Sequence, residues 1–158
     1  MGKRRKGRIL AFQALFAWET AGDKEQALKD LLDFSWAEKK PPVESEKKTE
    51  PNEDDSVLFS RLLVAGTVEN ISAVDAMIRN HLVNWDFSRL TNADKALLRL
   101  SVYELLFKTA PPRVVIDEAV DISREFGTDD SYRFINGVLD GVKKTIQDES
   151  SLKKGEKQ

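Results

Sequence analysis

Asp129-Asp-Ser-Tyr-Arg-Phe-Ile-Asn-Gly-Val-Leu-Asp-Gly-Val142 decides how this chain is read. Ile135, Val138, Leu139, Val142 and Ile146 recur at helical spacing and form an apolar stripe. Asp130, Phe134, Gly137 and Gly141 fall at i, i+4, i+7 and i+11, so they form a second stripe beside the first. One stripe can serve a core while the other carries an aromatic ring and a carboxylate. A glycine inside a helix costs about 1 kcal/mol against alanine. Gly137 and Gly141 therefore predict that something approaches this helix closely.

The remaining patterned segments are also helical. Residues 4–20 carry Ile9, Phe12, Leu15, Phe16 and Trp18 with few breakers, which predicts a centrally buried helix. Residues 25–37 place Leu28, Leu31, Leu32 and Trp36 at helical spacing. A long helix is expected from Ser56 to Leu82, with Leu58, Leu62 and Ala65 on one face and Val64, Val68, Ile71, Val74 and Ile78 continuing the apolar side. Thr91-Asn-Ala-Asp94 reads as a capping box opening a helix through Leu98, Val102, Leu105 and Leu106. Pro111-Pro112 separates it from residues 113–126, where Val115, Ala119, Ile122 and Phe126 share a face. Gly127 then fits a left-handed cap. No segment alternates as a strand does, so the fold class is all-α, with bundle packing.

Residues 38–55 differ in kind. They hold Pro41, Pro42, Pro51, many Lys and Glu, and Val43 as their one aliphatic residue. Such a segment buries too little apolar surface to offset its ordering entropy. It predicts a charged mobile loop inside one domain spanning residues 1–148, with a polar, frayed tail at 149–158.

Net charge is −2, so the chain as a whole is not a polycation. Charge is nevertheless uneven: Lys3, Arg4, Arg5, Lys6 and Arg8 crowd the N-terminus, and acid collects at 44–55. With no cysteine, disulfide and thiol chemistry are excluded. His81 is the sole histidine, so no Cys/His zinc cluster can form; its ordinary role is a surface or capping residue. No Gly-rich phosphate loop is present, and no catalytic triad is visible. Asp117, Glu118, Asp121 and Glu125 read most simply as a solvated helix face. No apolar run is long enough for a bilayer, and residues 9–18 lack a signal-peptide cleavage site. The expectation is a cytoplasmic protein.

The basic arm admits two readings from composition alone, a solubilising terminus or a phosphate-binding surface. It leads into a helix bearing Gln13, a hydrogen-bond partner for a base. Single-stranded RNA is read by stacking and base-edge contacts beside such charge. Phe134 can supply the stack and Asp130 the acceptor. Their simpler roles are a core aromatic and a complement to the positive end of a helix.

Three stretches resemble the NusB transcription antitermination family: Arg8-Ile-Leu-Ala-Phe-Gln-Ala-Leu-Phe-Ala-Trp-Glu19; Ala93-Asp-Lys-Ala-Leu-Leu-Arg-Leu-Ser-Val-Tyr-Glu-Leu105; and Val115-Ile-Asp-Glu-Ala-Val-Asp-Ile-Ser-Arg-Glu-Phe-Gly127 with Asp130-Ser-Tyr-Arg-Phe-Ile-Asn-Gly-Val-Leu-Asp140. They stand in the family's order and cover roughly half of the chain. The resemblance implies two small helical bundles packed together, no catalytic activity and no cofactor. It implies binding of the boxA element of ribosomal RNA leader transcripts. It also implies partnership with NusE, a small-subunit ribosomal protein, in an RNA polymerase antitermination complex. By motif, Arg4, Arg5, Lys6 and Arg8 match the family's RNA-binding arm. Asp130, Arg133 and Phe134 match its second RNA-contacting segment, with Phe126 at the border. Phe16 and Asp94 match the NusE-binding face. Family members often carry tyrosine at the position of Phe16, so a hydroxyl is missing here. Two other readings stay open: a NusB-like accessory domain acting with an RNA methyltransferase, and an adaptor using the NusE face alone.

Overall fold

The computed structural model describes residues 2–37 and 55–155, with side chains through Leu152. The predicted charged loop at 38–55 lies outside the described residues except for Asp55, which opens a helix. Seven α-helices are described: α1 Lys3–Thr20, α2 Lys24–Leu32, α3 Asp55–Glu69, α4 Ile71–Asn80, α5 Asn92–Phe107, α6 Pro112–Phe126 and α7 Ser131–Gly155. No strand occurs among the described residues. α1 packs along α3 and carries α2, forming an N-terminal group. α6 packs along α7, and α5 runs through the middle against α1, α3, α4, α6 and α7. Leu15, Leu63, Val74, Leu98, Val115, Ile135 and Leu139 meet in one continuous core. Among the described residues no single helix is long and apolar enough to cross a membrane.

Local chemistry sets the ends. Thr91 caps α5 by accepting from the Asp94 N–H at 3.1 Å. Pro112 occupies the first turn of α6, where a missing N–H is harmless. Lys108, at φ 55° and ψ 42°, closes α5 in the left-handed region.

Expectations for two helix spans, for the face of α3 and for Gly127 are corrected. The helix predicted over 25–37 stops at Leu32, where the Arg61 guanidinium from α3 donates to the Leu32 carbonyl at 2.8 Å and the Asp33 carbonyl at 3.3 Å. Phe34 then turns left-handed and buries its ring. The long helix expected from Ser56 to Leu82 is two helices bent by 75° at Asn70. The Asn70 side chain donates to the Gly66 carbonyl at 2.8 Å, an alternative to continuing the ladder. Within α3 the core face is Ser60, Leu63, Val64 and Thr67, while Leu58 is exposed and Leu62 is 70% exposed. Gly127 is extended (φ −94°), not left-handed; glycine is required because a Cβ would lie 2.6 Å from the Ser123 carbonyl and 2.7 Å from the Ser131 Cβ.

α7 keeps its predicted core stripe, and it continues past Asp148 to Gly155 where a frayed tail was expected. Its two glycines differ. A Cβ on Gly141 would meet the His81 ring at 2.9 Å, whereas one on Gly137 would meet nothing within 4 Å. Close approach explains Gly141 and leaves Gly137 without an explanation. His81 closes α4 and its Nε2 lies 3.0 Å from the Thr145 hydroxyl, which ties α4 to α7.

Candidate nucleic-acid interface

The basic cluster at the start of α1 divides by helical phase. Lys3, Arg4 and Lys6 are exposed. Lys3 reaches Asp55 at 3.3 Å, and the Arg4 guanidinium lies 4.9 Å from the centre of the Phe59 ring. Arg5 is half-buried against α6. Its Nε donates to Glu118 at 2.8 Å and its Nη2 to Asp121 at 2.7 Å. The Glu118 hydrogen bond and charge, and then the charge of Asp121, raise the Arg5 pKa further above its ordinary value.

Arg8 departs from the arm. It is 3% exposed, and Nε and Nη2 each donate to Glu104 at 2.9 Å. Glu104 also accepts from the Thr109 hydroxyl at 2.8 Å. An arginine enclosed and doubly bonded in this way holds α1 to α5 and does not face the surface. Its position on the stripe Arg8, Ala11, Phe12, Leu15 was the available sequence signal for burial.

Further along α1, Arg5, Phe12 and Phe16 lie within a narrow angular range of one another, and Gln13 borders them, exposed. Phe126, 38% exposed at the end of α6, packs its ring 5.4 Å from Phe12. Phe16 is 43% exposed one turn further on. The structure thus brings Arg5, Gln13, Phe16 and Phe126 onto one side of α1 and α6.

The next residues turn into α7. Asp130 is exposed and its carbonyl accepts from the Arg133 N–H at 3.2 Å. Arg133 is exposed and donates from Nε to the Tyr132 hydroxyl at 2.9 Å, while Arg124 approaches the Tyr132 ring at 4.8 Å. Phe134 is half-buried, backed by the core, with the Trp85 ring 6.2 Å away. Asp94 sits nearby, half-buried. Burial pushes its carboxyl pKa up, against hydrogen bonds from Ser131 and Thr91. Asp94, Asp130 and Phe134 line one cleft of about 350 Å³ together with Trp85, Arg89 and Thr91. Residues assigned by sequence to two different surfaces therefore share a cleft. Trp85 and Arg89 were missed because they stand in a connection with no periodic pattern.

A charged network beside Phe87 ties α1, α4 and α5 together. Arg99 on α5 donates to Asp75 on α4 at 2.9 Å and to Glu19 at the end of α1. Lys95 adds a bond to Glu19 at 3.3 Å. Burial raises the Glu19 pKa, but the hydrogen bonds and charges of Arg99 and Lys95 outweigh it and hold the carboxyl below its usual range.

Comparison with known proteins accords with this arrangement. The family model described as NusB family matches residues 5–144. The transcription antitermination protein NusB of Treponema denticola is 49% identical over 141 residues, covering 89% of this chain and 95% of that protein. The protein of the same name from Treponema pallidum is 51% identical over 143 residues, covering 90% and 93%. Among solved structures, NusB of T. maritima aligns with a TM-score of 0.70 at 35% identity, covering 89% of this chain and 90% of that one. A structure of antitermination factors NusB and NusE in complex with dsRNA aligns with a TM-score of 0.70 at 26% identity, covering 92% and 98%. The chain belongs to the NusB family.

Proposed function

We propose that this protein is a non-catalytic transcription antitermination factor that binds boxA RNA of ribosomal RNA leader transcripts together with NusE, within the RNA polymerase complex in the cytoplasm. The observation that carries this reading is the near-complete alignment with a NusB chain solved together with NusE and RNA. The relatives are named for antitermination. The local chemistry agrees. Exposed Lys3, Arg4 and Lys6, with Arg5 beside them, offer charge to phosphates and release counterions. Phe126 and Phe134 offer rings, and Asp130 offers a base-edge acceptor. Phe16 and Asp94 are the proposed contacts to NusE, Phe16 through an apolar ring alone. Arg8 supports the arm from inside through Glu104. The relatives are matched over 95% and 93% of their own lengths, which leaves them no length for a fused methyltransferase domain. Binding of labelled single-stranded boxA RNA, measured with and without NusE, tests the proposal. Tighter binding with NusE is expected. No binding in either condition, or equal binding of an unrelated RNA, overturns it.

A further inference from the structure

The cleft between the α4–α5 connection and the start of α7 contains more than the two RNA-facing residues expected there. Trp85 is 56% exposed, although tryptophan is the side chain with most to gain from burial. Its placement is nevertheless defined. Asn84 before it takes a left-handed conformation (φ 60°), which asparagine tolerates better than most residues. On its inner side the ring leans at 52° towards Phe134, which is anchored in the core. The following turn, Phe87–Arg89, is pinned by Phe87, whose ring lies 4.8 Å from the Arg79 guanidinium and 5.2 Å from that of Arg99. Arg89 is thereby held exposed at the rim of the cleft.

We propose that this cleft is a subsite for one unpaired nucleotide, in which the base stacks on Trp85, Asp130 accepts from its exocyclic amino group, and Arg89 meets the adjoining phosphate. The volume of about 350 Å³ sits at the small end of ligand sites, which span about 300–1,000 Å³. It suits one nucleotide and not a duplex, whose bases are already stacked and paired. A tryptophan face stacks on any base, so Trp85 supplies affinity without selecting sequence. Asp130 supplies the selection: a carboxylate accepts from the amino hydrogens of cytosine, adenine or guanine, and uracil has none. Asp94 lines the same cleft but is half-buried, whereas Asp130 is exposed, which makes Asp130 the reader.

The subsite rests on the RNA-binding reading above, so the test separates the two. Full-length Trp85→Ala, Trp85→Phe, Arg89→Ala and Asp130→Ala are compared with wild type for binding of single-stranded boxA RNA, with and without NusE, across a salt series. Asp130→Ala, which removes the acceptor, is expected to erase the preference for an amino-bearing base over uracil at the stacked position, and an unchanged preference removes Asp130 from the subsite. Trp85→Ala is expected to weaken binding by about ten-fold at unchanged salt slope, with Trp85→Phe restoring most of it. Arg89→Ala is expected to lower the salt slope by about one unit. In an RNA series with one abasic site at each position in turn, the position that weakens wild type most should have no further effect in Trp85→Ala. Trp85 is exposed, so the melting temperature should barely move. If wild type binds RNA but Trp85→Ala binds equally well, the subsite is wrong while the RNA-binding reading survives. If Trp85→Ala loses only the enhancement by NusE, the cleft docks protein and the proposal is overturned. If wild type fails to bind RNA, both readings fall.

Discussion

Arg5 and Arg8 stand three residues apart on the same helix, and each meets carboxylates from a distant helix. Arg8 and Glu104 are sealed in the core, with side chains 4% and 1% exposed. Arg5, Glu118 and Asp121 meet at the surface. The same pairing chemistry has opposite consequences in the two places. In the core the attraction is opposed by a large desolvation penalty, and each charge depends on the other. At the surface water screens the pair, which is worth about 0.2–1 kcal/mol and can be exchanged for another anion. A basic cluster in a sequence is thus a mixture, and burial separates the charges that fasten the fold from those left at the surface.

Losing Glu104 should cost the fold most. Glu104→Ala leaves Arg8 charged and without its partner in the core, and also removes the acceptor for Thr109. The expected loss is about 3–5 kcal/mol, or a fall of roughly 10 °C in melting temperature. The double variant Arg8→Met with Glu104→Leu should recover most of that loss. Thermal denaturation of the three proteins decides the matter. A single variant melting within a degree of wild type would show that water reaches the pair and that the two arginines are alike.

The arm should behave in the opposite way. Replacing Arg4, Arg5 and Lys6 together by alanine is expected to leave the melting temperature nearly unchanged and to lower the salt slope of RNA binding by up to about three units. Arg8→Gln should lower stability and leave the slope of the folded protein intact. If the slope falls equally in both variants, Arg8 contributes to the RNA surface despite its burial.

This division was half legible in the sequence. Arg8 shares a stripe with Ala11, Phe12 and Leu15, and Glu104 shares one with Leu97, Leu100 and Ser101, so helical phase alone places both charges inward. Their pairing was not legible, because it depends on how α1 docks on α5 across 96 residues of sequence. The helix ends divide along the same line. Thr91 was readable as a cap because its partner is three residues away. The stop at Leu32 was not, since Arg61 arrives from another helix. Asn70 breaks an apolar pattern that runs unchanged through it, so periodicity could not register the 75° bend. Asp130 and Phe134 could be proposed from the periodicity of their helix, while Trp85 and Arg89, which line the same cleft, stand in a connection without one.

Asp94 falls between the two extremes, half-buried and without a cation among its hydrogen-bond partners, Ser131 and Thr91. Burial raises its folded pKa above the unfolded value, so its ionised form weakens the fold. That penalty is fully present above the folded pKa. It declines as pH falls through that value and is gone below the unfolded pKa of about 3.9. Asp94→Asn should therefore be at least as stable as wild type at neutral pH, within about 1 kcal/mol, and the difference should close in acid. Asp94→Lys is expected to impair NusE association beyond any loss of stability, because a reversed charge within an interface leaves a partner group opposed. Parallel melting curves at two pH values and a NusE binding assay test this. Normal NusE binding by both variants would confine Asp94 to the helix start and the cleft.

The smallest effect is expected where Arg5 meets α6. A phosphate approaching Arg5 must share it with Glu118 and Asp121, and both carboxylates repel that phosphate. Glu118→Gln keeps the shape and the acceptor oxygen but removes one charge. The pair is partly exposed and worth on the order of 1 kcal/mol, so stability should fall by about that much or less, and RNA affinity at low salt should rise by about two- to five-fold. Asp121→Asn should act in the same direction and more weakly, since Asp121 contributes less than Glu118 to holding the guanidinium charged. Both gains should fade at high salt, where screening already suppresses the repulsion. A loss of affinity in Glu118→Gln would mean that the carboxylate aims Arg5 at the RNA instead of competing for it. Arg5 would then be as firmly fixed by its partner as Arg8 is, and exposure alone would no longer separate the contact surface from the fastening.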